Sequence, residues 1–486
     1  MYQSCRLPVT QSMVGLIVAM SCAGAGLWSH AAYAGETGTI PSAPVSATAA
    51  ERRSAAYQRM LRLLDEDRPA DAVPAAFEVV ELTRELEGDD NAALLTPLTN
   101  LATAQLRAGD LLAAGNNYSA AVTLVEKHEG IVSPQLVTPL MGLGRTYMQA
   151  GQFVQATESF ERALHVNHVN QGFYNLDQLP VHDALTESYL GQKDFEKANF
   201  HQESQLQIMA HRLGKESPEL LPALSRLGDW YEQTGQVLSA RLVRQDMVRR
   251  IAATGGENDP AMVEPLIAIA SSYRQQALQS PVADPMQEPE TLFPMSSVVL
   301  RKALNIVDQQ PEPDPVQRAR VLVEFGDLYR IWGKRNSSGE AYDEAWQTLS
   351  GDEKYAVQRD GFFARPMRLF WNPPPRIYPA SARNLPPGSK LESGYVVVRY
   401  SVDAMGRVSS AEVMESDPAG LIDQSVLNAV RRSLYRPRYV DGAAAPAEGL
   451  SLRHEFSYRI EPEAAPPPDV PDSGRPLSQP DSDSRN

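Results

Sequence analysis

The chain has 486 residues, a formal net charge of −15 and two cysteines. That length holds two or three domains with a large buried core. The acidic balance excludes a nucleic-acid binder that works by neutralising phosphates. Cys5 and Cys22 both lie in the first 34 residues, which leaves the remainder without disulfides or thiol chemistry.

Residues 1–34 carry one charge, Arg6, then an apolar run from Met13 to Leu27 and the small-residue pattern Ala32-Tyr33-Ala34 before Gly35. This is the layout of a secretory signal cleaved between Ala34 and Gly35, its core short and glycine-rich for a membrane span. An uncleaved anchor and lipidation at Cys22 are the alternatives. Residues 35–50 read as a linker.

From residue 51 to 350 one pattern repeats every 42 residues. Gln105, Tyr147, Tyr189, Tyr231 and Tyr273 mark the period, and Tyr329 follows 56 residues on. An apolar residue stands four positions before each mark: Leu101, Leu143, Leu185, Leu227, Ile269 and Phe325. The next position is usually small (Ala102, Gly144, Gly228, Ala270, Gly326), and Ala114, Ala156, Ala198, Ala240 and Ser338 recur later in the unit. Aromatics Tyr118, Phe160 and Tyr342 then precede Ala121, Ala163 and Ala345. Large and small positions in register describe helical pairs that must stack to bury an apolar face. The pattern resembles a lengthened tetratricopeptide repeat. A further pair, Ser54 to Leu86, is expected to cap the N-terminal end, and the proline-rich insertion 280–294 is expected to be a surface loop. In the family pattern Arg145 and Arg226 face the groove, where they either hold a carboxylate or stay solvated.

A proline-rich linker is expected over 351–375, followed by a small domain at 376–460 that is slightly basic within an acidic chain. Gly394 to Val408 reads as a hairpin with Gly406 at its turn. Asp417-Pro418 suits a helix start, with Ile422, Val426, Val430 and Leu434 as one buried stripe. The last strand alternates: Leu450, Leu452, Phe456, Tyr458 and Ile460 on one face, Ser451, Arg453, Glu455, Ser457 and Arg459 on the other. Read alone, the segment is an α+β domain with a three-stranded antiparallel sheet and one covering helix. Residues 461–486, rich in proline, serine and aspartate, are expected to be disordered.

Taken together, Tyr378-Pro379, Gly394, Gly406-Arg407-Val408, Tyr435-Arg436-Pro437, Gly442 and Phe456 resemble the C-terminal domain of the TonB family. The resemblance implies docking by strand addition. The edge strand, Ser451 to Arg459 with His454 in its middle, would pair with a short extended segment of an outer-membrane transporter or another envelope protein. On the plainer alternative the strand pairs with nothing, its edge guarded by Arg453, Glu455 and Arg459. The basic cluster Arg431, Arg432, Arg436 and Arg438 suits either an acidic partner or a helix C-terminus.

No phosphate loop, nucleophile elbow, zinc motif or cysteine pair appears, and His165 with His168 lacks a third ligand. The expectation is an all-α tetratricopeptide-like superhelix followed by a TonB-like α+β domain. It describes a periplasmic, non-catalytic adaptor with protein partners, no cofactor and no nucleic acid, touching a membrane only if the leader is retained. The alternatives are a TonB-like energy transducer anchored in the inner membrane and a subunit of an envelope enzyme complex.

Overall fold

The structure, a computed structural model, describes residues 47–279, 288–374, 376–378 and 390–460. The leader with Ala34 and Gly35, Pro379 and the tail 461–486 lie outside the described residues. Two compact units divide the chain between Leu227 and Gly228.

The first unit is a series of antiparallel helix pairs: α1 (Ala49–Asp65) with α2 (Pro69–Glu87), α3 (Leu95–Ala108) with α4 (Leu111–Glu129), α5 (Val137–Gln149) with α6 (Phe153–Gln171), and α7 (Leu179–Gly191) with α8 (Phe195–Leu213). The helix α9 (Leu221–Gln233) crosses the boundary. The expected N-terminal pair is present and starts earlier, at Thr48, whose hydroxyl and Glu51 form a capping box. Each second helix ends on a glycine at positive φ: Gly88, Gly130, Gly172 and Gly214. With ψ between 141° and 174° this is an extended, positive-φ stop that Cβ disfavours, and it recurs with the repeat.

Close approach explains the small positions. A Cβ on Gly144 would lie 2.3 Å from the Phe160 ring, and one on Gly142 would lie 2.2 Å from the Tyr118 ring. Where the aromatic is missing, polar contacts take its place: the Gln202 amide donates to the Thr186 hydroxyl at 3.3 Å. Between α7 and α8 the Nδ1 atoms of His182 and His201 stand 3.0 Å apart, both rings buried. One ring must donate and the other accept, so at least one imidazole is neutral with a bare Nδ1, and protonating both rings breaks the bond. Burial first, then a neighbouring positive group (His201 for His182, Lys197 for His201), pulls each from its ordinary 6.5 down to about 4. A base with a depressed folded-state pKa takes up its proton more readily in the unfolded chain. Its stabilising contribution is therefore complete above pH 6.5 and is lost as pH falls toward 4. Urea titrations of the intact chain should lose on the order of 2 kcal/mol per ring between neutral pH and pH 5. His201→Gln should flatten that dependence.

The second unit begins within α9 and adds α10 (Val237–Gly255), α11 (Val263–Gln279), α12 (Glu288–Asp308), α13 (Pro315–Ile331), α14 (Arg335–Ser350) and α15 (Ala356–Phe363). Of the expected loop 280–294, positions 280–287 lie outside the described residues and the rest is helical. The helix α12 starts at Glu288, Pro289 falls in its first turn where no N–H is needed, and the helix runs on through Pro294. Gly326 abuts Tyr342 as Gly144 abuts Phe160, with 2.2 Å left for a Cβ. At Gly228 the aromatic is replaced by Arg244, which bonds Asp229 and Glu232.

The terminal strands are β1 (Met367–Phe370), β2 (Ile377–Tyr378), β3 (Lys390–Val402), β4 (Val408–Asp417), then α16 (Asp423–Arg431), β5 (Leu434–Arg436), β6 (Arg438–Val440), β7 (Ala443–Ala445) and β8 (Ala447–Ile460). The central sheet has four strands, ordered β2-β8-β3-β4, rather than three. Two small ribbons, β1-β5 and β6-β7, complete the domain. The stretch expected as a linker, 351–375, in fact carries α15 and β1, and only Trp371 to Pro374 connects onward. The helix α16 packs on β3 and β4. It starts six residues later than expected and ends before Leu434, which belongs to β5. Val396, Val398, Val426, Val430 and Phe456 form the core beneath it. Among the described residues no helix is long and apolar enough to cross a membrane.

Candidate functional site

Along one side β8 pairs with β3 in unbroken antiparallel register from Leu450↔Tyr400 to Ile460↔Lys390. On its other side, among the described residues, it pairs with the two residues of β2, in parallel, at Ser457 and Tyr458. The Ser457 N–H donates outward to the Arg376 carbonyl at 2.6 Å. In an antiparallel strand both backbone groups of a residue point to one side, and the side alternates along the chain. Ser451, Arg453 and Glu455 therefore turn N–H and C=O away from β3, toward an edge that no described strand covers. The opposite edge strand, β4, is less regular, with two register shifts against β3.

The side chains split by face. Phe456 and His454 are buried and Leu450 and Leu452 partly so, on the core side. Ser451, Arg453 and Glu455 are exposed on the other, while Ser457, Tyr458 and Arg459 are half-buried. Gly394 lies opposite Phe456, and a Cβ there would fall 2.7 Å from its ring and 2.6 Å from the Asp417 carbonyl. The motif glycine thus makes room for the motif phenylalanine. Arg453 lies over the Tyr395 ring at 3.7 Å and pairs with Glu455 at 3.3 Å. His454 is only 8% exposed and its Nε2 has no hydrogen-bond partner; burial, then Arg376, lowers its pKa and keeps it neutral.

A second constellation, unforeseen from the sequence, joins this domain to the last helical pairs of its own unit. Arg436 on β5 makes a two-pronged ion pair with Asp327 on α13, Nε to Oδ1 at 2.9 Å and Nη2 to Oδ2 at 2.7 Å. Their side chains are 4% and 3% exposed. Tyr342 donates to the same carboxylate at 2.8 Å, and Arg274 lies 3.0 Å from Glu324 and 3.5 Å from Asp327. Burial opposes the Arg436 charge, but Asp327 more than offsets it and raises its pKa. Beside this seam Tyr439 of β6 stacks on Trp346, packs on Phe363 and donates to Asp343 at 2.6 Å. Arg436 is therefore no member of a surface cluster.

The remaining candidates are dispersed. Arg145 on α5 and Arg226 on α9 are both exposed. Arg145 lies in electrostatic reach of Glu187, whose pKa is raised by burial and by Asp183 despite that cation. Tyr378 is half exposed on β2, Pro437 separates β5 from β6, and Gly406 meets Tyr435 at the hairpin turn, its carbonyl accepting the Tyr435 N–H at 2.8 Å. His168 bonds Gln178 at 2.8 Å. Among the described residues no three His, Cys, Asp or Glu side chains converge as metal ligands would.

Residues 374–458 match the family described as the Gram-negative bacterial TonB protein C-terminal. No curated protein matches the chain. Among solved structures, the TPR-like repeats of a putative kinesin light chain from Podosopora anserina are 20% identical over 42% of this chain and 96% of that one, with a TM-score of 0.37. The C-terminal part of a TPR repeat-containing protein from Cytophaga hutchinsonii is 12% identical over 62% of this chain and 98% of that one, TM-score 0.38. The pilF protein of Pseudomonas aeruginosa is 16% identical over 50% and 98%, TM-score 0.29. The terminal domain is thus similar to the TonB C-terminal family, and it follows a region of tetratricopeptide-like helix pairs.

Proposed function

We propose that this chain is a periplasmic, non-catalytic adaptor. Its helix pairs bind one protein, and its terminal domain takes up an extended segment of an envelope partner by adding it to β8. The observation that carries this reading is the open outer edge of β8, three outward-facing residues in unbroken register beside a paired strand. Unpaired N–H and C=O groups template another strand, and main-chain bonds then supply affinity. An outer-membrane transporter of the TonB-dependent kind is the partner the family match favours.

Arg453→Pro tests the docking. It removes an outward N–H and leaves the β3 ladder intact, as proline on an edge strand allows. Partners cross-linked through a photoreactive side chain at Ser451 should fall at least about tenfold, while the circular dichroism is unchanged. Arg453→Gln controls for the lost charge, and undiminished cross-linking would end the reading. The leader expected over residues 1–34 is the ground for proposing this compartment. The chain from the soluble periplasm should begin at Gly35, whereas an inner-membrane chain retaining residues 1–34 would favour the anchored transducer instead.

A further inference from the structure

One strand already sits on the edge assigned to the partner. β2 lies on the outer side of β8 at Ser457 and Tyr458, in line with the open positions Ser451 to Glu455. Its approach is anchored. Upstream, Trp371 packs against the terminal core, Pro374 is buried, and β1 is paired with β5. Pro373 and Pro374 each fix φ in the described part of that approach, which favours a seated strand over a loose one. At the other end Gly449 takes φ +67°, outside the range of a pleated strand, so the regular edge stops there as well. The free edge is bounded on both sides.

We propose that Arg376–Tyr378 is a built-in stop on the β8 edge. It confines a docked strand to the span Leu450–Phe456 and selects a segment of about seven residues, at about 3.4 Å per residue. This inference rests on the docking reading above. The chemistry of the segment follows from the two faces. Leu450 and Leu452 border the core, so side chains beside them on the added strand are apolar. Arg453 stands in the middle of the free edge, held over Tyr395 on the exposed face and paired along its own strand with Glu455 at 3.3 Å. An acidic side chain directly across from it would share a cation that is only partly neutralised. The partner segment therefore alternates apolar and polar residues around a central glutamate or aspartate.

The experiment uses the full chain and fluorescence anisotropy with labelled synthetic peptides. The probes are a heptapeptide of alternating valine and glutamate, its valine–lysine counterpart, and a valine–glutamate peptide about five residues longer. The glutamate heptapeptide should bind about fivefold tighter than the lysine one, and Arg453→Gln should erase the difference. Lengthening should gain less than about twofold in the wild type. In the variant Ile377→Gly with Tyr378→Gly, which unseats β2, it should gain about tenfold, with heptapeptide binding unchanged. A longer peptide that already binds tenfold tighter to the wild type overturns the stop and leaves docking at β8 intact. So does a gain that β2 removal does not alter. Heptapeptide binding that survives Arg453→Pro is not at this edge and counts against the docking reading itself. Failure of every peptide to bind overturns the selection proposed here, while the cross-linking at Ser451 judges docking independently.

Discussion

Asp327→Ala should destabilise the second unit by about 3–5 kcal/mol, because it leaves a buried guanidinium without its counter-charge. Arg436 is 4% exposed, and both prongs of its ion pair end on that one carboxylate. Water cannot replace the lost partner without opening the seam between β5 and α13. Arg436→Ala should cost less. It strips the same ion pair, but Asp327 keeps Tyr342 as a donor and Arg274 at 3.5 Å as a counter-charge. The ordering, Asp327→Ala worse than Arg436→Ala, is the discriminating result. Replacing both by apolar residues of similar size, Asp327→Leu with Arg436→Met, should recover most of the loss, since a buried pair repays little beyond its own desolvation. Urea unfolding gives the magnitudes. Hydrogen exchange over residues 315–350 and 434–445 should show both sides of the seam opening together. If only the strand side loses protection, the two halves of the seam are not energetically joined.

The seam also shows where sequence reading stops. The helix pairs are legible because their signal is local and repeated: Gly144 and Phe160, and Gly326 and Tyr342, stand at one fixed spacing, and in the fold each glycine meets the ring at that spacing. The alternation of β8 was legible for the same reason, since burial follows the pleat at Leu452, His454 and Phe456. Arg436 was not. Its partner stands 109 residues earlier, and no short pattern marks a cation that will be buried. Placed among Arg431, Arg432 and Arg438, it fits a basic cluster that faces an acidic partner or ends a helix. Leu434 misled in a related way, fitting a four-residue stripe while the helix had already ended at Arg431. Two signals were present but unread. Asp441 and Gly442 both take positive φ and make the tight turn between β6 and β7, as an Asp-Gly pair favours. The glycines closing each second helix share the period of the repeat. Within the expected linker no local pattern marks Met367–Phe370 as a strand, because its partner β5 stands over sixty residues later in the chain. The strand proposed as the docking edge is marked in the sequence by its alternation. That β2 covers one end of it depends on a two-residue parallel pairing that no propensity would reveal.

Gly406→Ala should be the most damaging single-methyl change in the terminal domain. Two effects coincide at this position. The residue sits at φ +70°, where an L side chain costs about 1–2 kcal/mol. In addition, a Cβ would fall 1.9 Å from the Tyr435 carbonyl, a backbone atom with little freedom to yield. The turn itself is held tightly: the Asp403 carboxylate accepts the Met405 and Arg407 N–H groups at 2.9 and 2.8 Å. The strain therefore passes to β5, which is tied to β1 at Tyr435↔Arg368 and to α13 through the next residue, Arg436. A total loss of about 3 kcal/mol or more is expected in thermal or urea unfolding. Gly420 is the control. It has φ +82° with nothing within 4 Å of a Cβ, so Gly420→Ala should cost only the backbone share, about 1 kcal/mol. Equal losses at the two sites would mean that the turn and β5 are not mechanically linked. A larger loss at Gly406 gives the physical reason that a Gly-Arg-Val turn and a Tyr-Arg-Pro strand occur together in this domain: the turn glycine is shaped to the strand that carries the buried arginine.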